Sequence, residues 1–200
     1  MKVIAFEGPD RVGKATQCKL LCEYINNALK KKAVVVEVPV HDVFTYSLIY
    51  WMLRNGLAKK FPKVFQWLQI LNRWIFQKVK LSSLKKKYDY VIFDRWSLST
   101  IVYGTAEGLV KEDVEEACRL LTSPDYTIVL LGKSHAHEAE DVYERDENLQ
   151  RKVREIYATW VKENPNVSSV VGCEMPALCV AAEVQSILRH ARMLSPLTSN

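Results

Sequence analysis

The chain has 200 residues, 48% hydrophobic and 26% charged, with seven glycines, seven prolines and a net charge of +5. That balance supplies a core and excludes a collagen-like, low-complexity or largely disordered chain. No apolar stretch is long enough to cross a bilayer, the opening MKVIAF turns polar at Glu7 and is too short for a secretory signal, and the five cysteines lack metal-type spacing, so a reduced, cytoplasmic protein without a membrane partner is expected.

Val3 to Phe6 is a short apolar run that stops at Glu7-Gly8, the pattern of a buried strand entering a loop. Gly8-Pro9-Asp10-Arg11-Val12-Gly13-Lys14-Ala15-Thr16 follows, with the spacing of a phosphate-binding loop but with Ala15 where Ser or Thr is usual. In such a loop backbone N–H groups converge on phosphate oxygens, Gly8 and Gly13 allow the turn and the close approach, and Lys14 reaches the phosphates. Ala15 offers no hydroxyl to Mg2+, and Thr16 stands one residue late. Because Mg2+ keeps several waters, weakened metal binding is expected in place of lost function.

Leu20, Leu21, Tyr24, Ile25, Ala28 and Leu29 then recur at helical spacing, and Val34 to Val38 is an uninterrupted β-branched run. Further apolar runs at Tyr90 to Phe93, Tyr126 to Leu131 and Val167 to Val171 alternate with helical patterns over 61–84, 111–121, 147–163 and 177–193. Continuous apolar strands predict burial on both faces. The alternation predicts a three-layer α/β/α fold around a five-stranded parallel sheet, whose ligands bind at the carboxyl ends of the strands. Lys30–Lys32 and Lys85–Lys87 close helical patterns, where cations suit the helix dipole, so the positive balance does not call for nucleic acid. The composition of 194–200 predicts a flexible tail.

The run Tyr88 to Phe93 ends in Asp94-Arg95. A carboxylate there can hold Mg2+ or its waters, and an arginine can brace phosphate with a bidentate fork. Phe6 to Gln17, Leu71-Asn-Arg-Trp74, Asp94 to Ser99 with Tyr103, and Tyr143-Glu144 followed by Gln150 stand in the order found in thymidylate kinases. From residue 3 to about 163 the chain resembles that family, of the P-loop nucleoside monophosphate kinase type.

The resemblance implies one kinase domain over 1–200, with acceptor-binding helices over 41–84 and a lid over 132–147. It implies a homodimer that moves the γ-phosphoryl group of ATP to dTMP, giving dTDP and ADP, with Mg2+. Lys14, Arg11, Arg95 and Asp94 take the catalytic positions, and Gly8, Gly13, Lys14, Ala15 and Thr16 the ATP site. Asp10 is similar to the carboxylate that meets the acceptor's 3′-hydroxyl, Arg73 to an arginine on its phosphate, Arg95 to one that bridges both substrates, and Tyr103 to the ring beneath the sugar. Ser99, Thr100 and Tyr143 complete the acceptor side.

Two departures fall on that side. Gln69 stands where the family often stacks a Phe on thymine, with Phe65 and Trp67 as neighbours that could take over, and Val38-Pro39-Val40-His41 replaces Phe-Pro-x-Arg, leaving His41 as the candidate phosphate ligand. A modified pyrimidine or other deoxynucleoside monophosphate, a nucleoside, or a non-catalytic nucleotide-binding role therefore stay open. Trp67, Leu71, Trp74 and Ile75 read as core or dimer face, Cys18 and Cys22 as packing, and His135 and His137 as part of a polar lid.

Overall fold

The computed structural model describes residues 1–132 and 146–194. Five strands, β1 (Lys2–Glu7), β2 (Ala33–Glu37), β3 (Tyr90–Asp94), β4 (Tyr126–Leu131) and β5 (Ser168–Gly172), pair in the order β2-β3-β1-β4-β5, all parallel. The helices are α1 (Lys14–Asn27), α2 (Thr45–Arg54), α3 (Leu57–Lys60), α4 (Pro62–Phe76), α5 (Ser82–Lys87), α6 (Ser97–Ala106), α7 (Lys111–Cys118), α8 (Glu147–Glu163) and α9 (Ala177–His190). The strand register sets Phe6 and Glu37 opposite Asp94, so the ends of β1, β2 and β3 share one rim.

Alternation along β1 divides the core. Ile4 and Phe6 join Cys18, Leu21 and Ile25 of α1 and Val184 and Leu188 of α9 on one face. Val3 and Ala5 meet Phe76, Phe93 and Trp96 on the other, where a further cluster joins Ile49, Phe65, Val102, Val129 and Tyr157 from α2, α4, α6, β4 and α8. The three central strands are buried on both faces, as continuous apolar runs require. The edge strand β2 is not: Val34, Val35 and Val36 are only half-buried, because no strand lies beyond them.

The helical pattern over 61–84 is interrupted. α4 ends at Phe76, and a π-helical turn over Gln77–Leu81 leads into α5. At its start the Gln77 amide bonds across to the backbone of Leu120 and Thr122, and a π turn accommodates one extra residue while keeping the backbone bonded. Helix α6 escaped the periodicity because it is buried on nearly all sides. On α4, Val64, Trp67, Leu71 and Trp74 are 53, 50, 38 and 37% exposed and form an outer apolar stripe, whereas Ile75 packs against the core. All five cysteines are free thiols, Cys18 in the core and Cys22 beside it. The lid expectation, with Tyr143, Glu144, His135 and His137, falls almost wholly outside the described residues; the tail expectation does so from 195 on, and Leu194 is buried.

Trp96 carries much of one core face: it stacks on Phe93 with centroids 4.0 Å apart, and its Nε1 donates to the Thr122 carbonyl at 2.8 Å. Replacing it by alanine is expected to cost about 3–5 kcal/mol, seen as a lower urea midpoint at unchanged m-value.

Candidate active site

The loop after β1 exists because of two glycines. Gly8 has φ 140°, and a Cβ there would run into the Leu130 carbonyl, so only glycine lets the chain pass β4. Gly13, at φ 87°, turns the chain into α1 from the N-cap position. Lys14 follows at the first turn; its Nζ spans the loop and donates to the Pro9 carbonyl at 2.5 Å. Burial, reinforced by the positive charge of Arg95, pulls the Lys14 pKa down to about 8 against the attraction of Asp10, Asp94 and Glu7.

From β3, Asp94 reaches the same rim and Arg95 turns back over the loop. The Arg95 backbone sits at φ 67°, held by its N–H on the Phe6 carbonyl at 2.9 Å. Its Nη1 donates to the Gly8 carbonyl at 3.0 Å and the Ser99 hydroxyl at 3.1 Å, its Nη2 forms a short ion pair with Asp10, and its guanidinium lies 5.4 Å from the centre of the Tyr103 ring. Burial opposes its charge most strongly of any single factor, but Asp10, with Tyr103, Tyr157 and Asp94, together outweighs it and holds the pKa well above the ordinary value. Asp10 is pinned in turn. The Tyr103 hydroxyl donates to its Oδ2 at 2.7 Å and Gln150 Nε2 at 2.9 Å, while its own N–H reaches Gln150 Oε1 at 3.3 Å. Burial would raise the Asp10 pKa; Arg95 and Lys14 bring it below the usual value.

Arg73 comes from α4 and is 2% exposed. Its Nε donates to the Trp96 carbonyl at 3.1 Å, and Nη1 to the Gln69 backbone and side-chain oxygens at 2.9 and 2.8 Å. Nη2 makes no hydrogen bond, and no carboxylate lies within ion-pair distance, among the described residues. Burial lowers its pKa to about 10.

These groups surround a cavity of about 610 Å3. Asp10, Arg11, Gly13, Lys14, Ala15, Gln69, Arg73, Asp94, Arg95, Ser99, Thr100 and Tyr103 all line it, together with an apolar wall of Tyr50, Leu53 and Phe65. Gly8 lies just behind, linked through Arg95, and Thr16 is exposed on α1. Of the two aromatic neighbours of Gln69, Phe65 lines the cavity and Trp67 belongs to the outer stripe. His41 is elsewhere: its side chain is 82% exposed, 3.8 Å from Asp42, with its ring against Tyr46. The loop that displaces it contains a cis Val38–Pro39 bond, and it is Val38 and Pro39 that meet the cavity. Tyr143 lies outside the described residues.

Among the described residues no cluster of three or more His, Cys, Asp or Glu could cage a metal. The Asp94 carboxylate nevertheless lines the cavity beside Lys14 and Ala15, without a hydrogen bond or ion pair among the described residues, which fits a cation held through one carboxylate and water. Sequence reasoning passed over Glu7 and Tyr157, which stand directly behind Ser99. The available signal was a charged residue closing an otherwise apolar central strand.

Residues 6–182 match the family model described as thymidylate kinase. The 251L protein of Invertebrate iridescent virus 6 is 30% identical over 196 residues, covering 94% of this chain and 87% of that protein. Thymidylate kinase of Plasmodium falciparum is 28% identical over 177 residues, covering 82% and 79%. Among solved structures, the fold is shared with thymidylate kinase from Candida albicans, at a TM-score of 0.75 and 22% identity over 96% of this chain and 92% of that one.

Lys14, poised near pH 8, would be held protonated by a polyanion. Binding of a nucleoside triphosphate is therefore expected to take up a proton and to weaken as pH rises from about 8 towards 10.5, the ordinary lysine value. Calorimetry at pH 8 in two buffers of unequal ionisation enthalpy checks this; equal heats would remove Lys14 from the phosphate site.

Proposed function

Because the chain belongs to the thymidylate kinase family, we propose that this cavity transfers the γ-phosphoryl group of ATP to dTMP, giving dTDP and ADP. The observation that carries the reading is Arg73: a guanidinium 2% exposed, oriented by Gln69 and Trp96, with one nitrogen left for an acceptor that none of the described residues provides. A buried unpaired cation is costly, and an anionic nucleotide relieves that cost when it binds.

The triphosphate lies over residues 8–13, where backbone N–H groups and the start of α1 meet its oxygens. Lys14 exchanges the Pro9 carbonyl for the β- and γ-phosphates. The acceptor's base rests against Phe65, Tyr50 and Leu53, its sugar against Tyr103 and Asp10, and its polar atoms reach Arg73. Arg95 stands between the two nucleotides. A phosphate oxygen of the acceptor attacks the γ-phosphorus, the new P–O bond forms as the bond to the β-phosphate oxygen breaks, and ADP leaves. The attacking oxygen is already ionised, so no general base is needed; the protein's work is alignment and neutralisation of charge. Asp94 would hold Mg2+, which would supply further neutralisation of charge on the transferred group.

The outer stripe of α4, Val64, Trp67, Leu71 and Trp74, supports a homodimer in which a second copy covers it. Gln69, Gln66 and Thr100 at the acceptor end also favour selection by base-edge atoms in place of stacking, so a pyrimidine other than thymine is a second candidate acceptor.

ADP release measured with ATP and a panel of dTMP, dUMP, dCMP, dGMP and 5-substituted dUMPs tests the assignment. A pyrimidine deoxynucleotide, dTMP foremost, is expected to be turned over best; a best substrate without a pyrimidine overturns it. Restoring a hydroxyl by Ala15→Ser is expected to lower the Mg2+ concentration for half-maximal rate, by up to about tenfold for one charge-assisted ligand. An unchanged requirement would mean that water fully replaces the missing oxygen.

A further inference from the structure

Strand β1 is apolar from Val3 to Phe6, and its last residue is a glutamate that is 0% exposed. A carboxylate removed from water costs several kcal/mol unless its oxygens are paired. Both are. Oε1 accepts the backbone N–H groups of Trp96 at 2.8 Å and Ser99 at 3.3 Å, in the first turn of α6. Oε2 accepts the Ser99 hydroxyl in a short contact and the Tyr157 hydroxyl at 3.2 Å. Glu7 thus caps α6 from a neighbouring strand, where the helix dipole favours negative charge and where the helix's own N-cap residue, Trp96, makes no side-chain bond.

The directions of these bonds carry the consequence. Ser99 spends its hydrogen on Glu7, so its oxygen is left to accept from Arg95 Nη1 at 3.1 Å. Tyr157 braces this pair from behind, its hydroxyl 3.2 Å from Glu7 Oε2 and 3.0 Å from Ser99 Oγ. The Ser99 hydroxyl thus turns a lone pair toward the nucleotide side, onto Arg95. A neutral amide in place of the carboxylate would offer hydrogens where these hydroxyls also offer theirs. A Ser99 hydroxyl that reversed to accept from the amide would face Arg95 with donor against donor. Arg95 is sensitive to such a change, because its backbone at φ 67° is held only by surrounding bonds. The negative charge of Glu7 also offsets the burial that disfavours the charged forms of Arg73 and Lys14.

Building on the kinase reading above, we infer that Glu7, acting through Ser99 and Tyr157, is a positioning residue that aims the Arg95 guanidinium. It touches neither substrate. Its contribution is made when the two nucleotides come end to end, so it bears on turnover more than on binding.

A double-mutant cycle with Arg95 tests this. Glu7→Gln is expected to lower kcat by about 10- to 100-fold. The KM values for ATP and dTMP should stay within about threefold of the parent's. In an Arg95→Ala background the same change should cost less than about threefold, because the group it aims is gone. Equal losses in both backgrounds, or an unaltered kcat, overturn the role. If Glu7→Gln does not give a cooperative thermal melt, Tyr157→Phe replaces it in the cycle; it keeps the ring and removes one donor, with the same non-additivity expected. Absence of turnover by the parent protein with ATP and dTMP would overturn the kinase reading and this one with it, whereas normal parental turnover with additive losses overturns the positioning role alone.

Discussion

Lys14 and Arg73 are buried and Arg95 half-buried around one cavity, and most of what surrounds them serves to make that tolerable. Each cation in isolation would be driven toward its neutral form or toward solvent. Arg95 is stabilised by a full counter-charge at Asp10, whereas Lys14 and Arg73 are left with pKa values lowered to about 8 and about 10. The asymmetry is informative. Arg95 is held charged and locked by Asp10, while Lys14 and Arg73 would gain most from an arriving anion, whose binding would relieve a cost already present in the empty protein.

The sheet makes this arrangement geometrically possible. Parallel register aligns the ends of β1, β2 and β3, so the loop after Glu7 and the pair Asp94-Arg95 emerge side by side although they are far apart in the chain. Gly8 lets the loop pass the Leu130 carbonyl, and Arg95, turning back at φ 67°, reaches the carbonyl of that same glycine. The two helices that complete the site are tied in by polar contacts: α6 through Ser99 and Tyr103, α8 through Gln150 and Tyr157. Because α8 contacts both Asp10 and Glu7, a displacement of that helix would disturb the phosphate loop and the bridging arginine together.

What could be read in the sequence was what is local. The spacing of Gly8, Gly13 and Lys14 lies within one loop, and the five apolar runs mark the five strands because central parallel strands must be apolar throughout. The amphipathic pattern over 147–163 coincides with α8 because that helix has one core face and one wet face. Legibility failed where burial is not one-sided. α6, enclosed on nearly all sides, has no period to find, and the π turn at Gln77–Leu81 depends on Gln77 bonding to backbone more than forty residues away. The pairing of Glu7 with Ser99 and Tyr157 spans 92 and 150 residues, and no pattern along the chain encodes it. His41 shows the converse: expected at the phosphate from its place in the motif, it does not line the cavity and lies exposed beside Asp42 and Tyr46.

Gln69 shows how a single departure changes the kind of recognition available. A ring at that position would offer a face for stacking, which is generous to any planar base. The amide instead binds back to Arg73, both through its side chain and through its backbone oxygen, and so fixes the guanidinium in one orientation. With Oε1 engaged, Nε2 is the atom left without a hydrogen bond among the described residues, and Thr100, which lines the same cavity, has a buried hydroxyl that is likewise unpartnered. Stacking is left to Phe65, one turn away on the same helix. The acceptor end thereby moves from shape toward hydrogen bonding, and the two discriminate differently: an apolar slot separates bases by a methyl group's worth of contact, whereas buried donors and acceptors penalise any base that leaves them unpaired. On the proposed reading, selectivity at this site would rest on which edge atoms a base presents to Gln69 and Thr100, and only secondarily on its size.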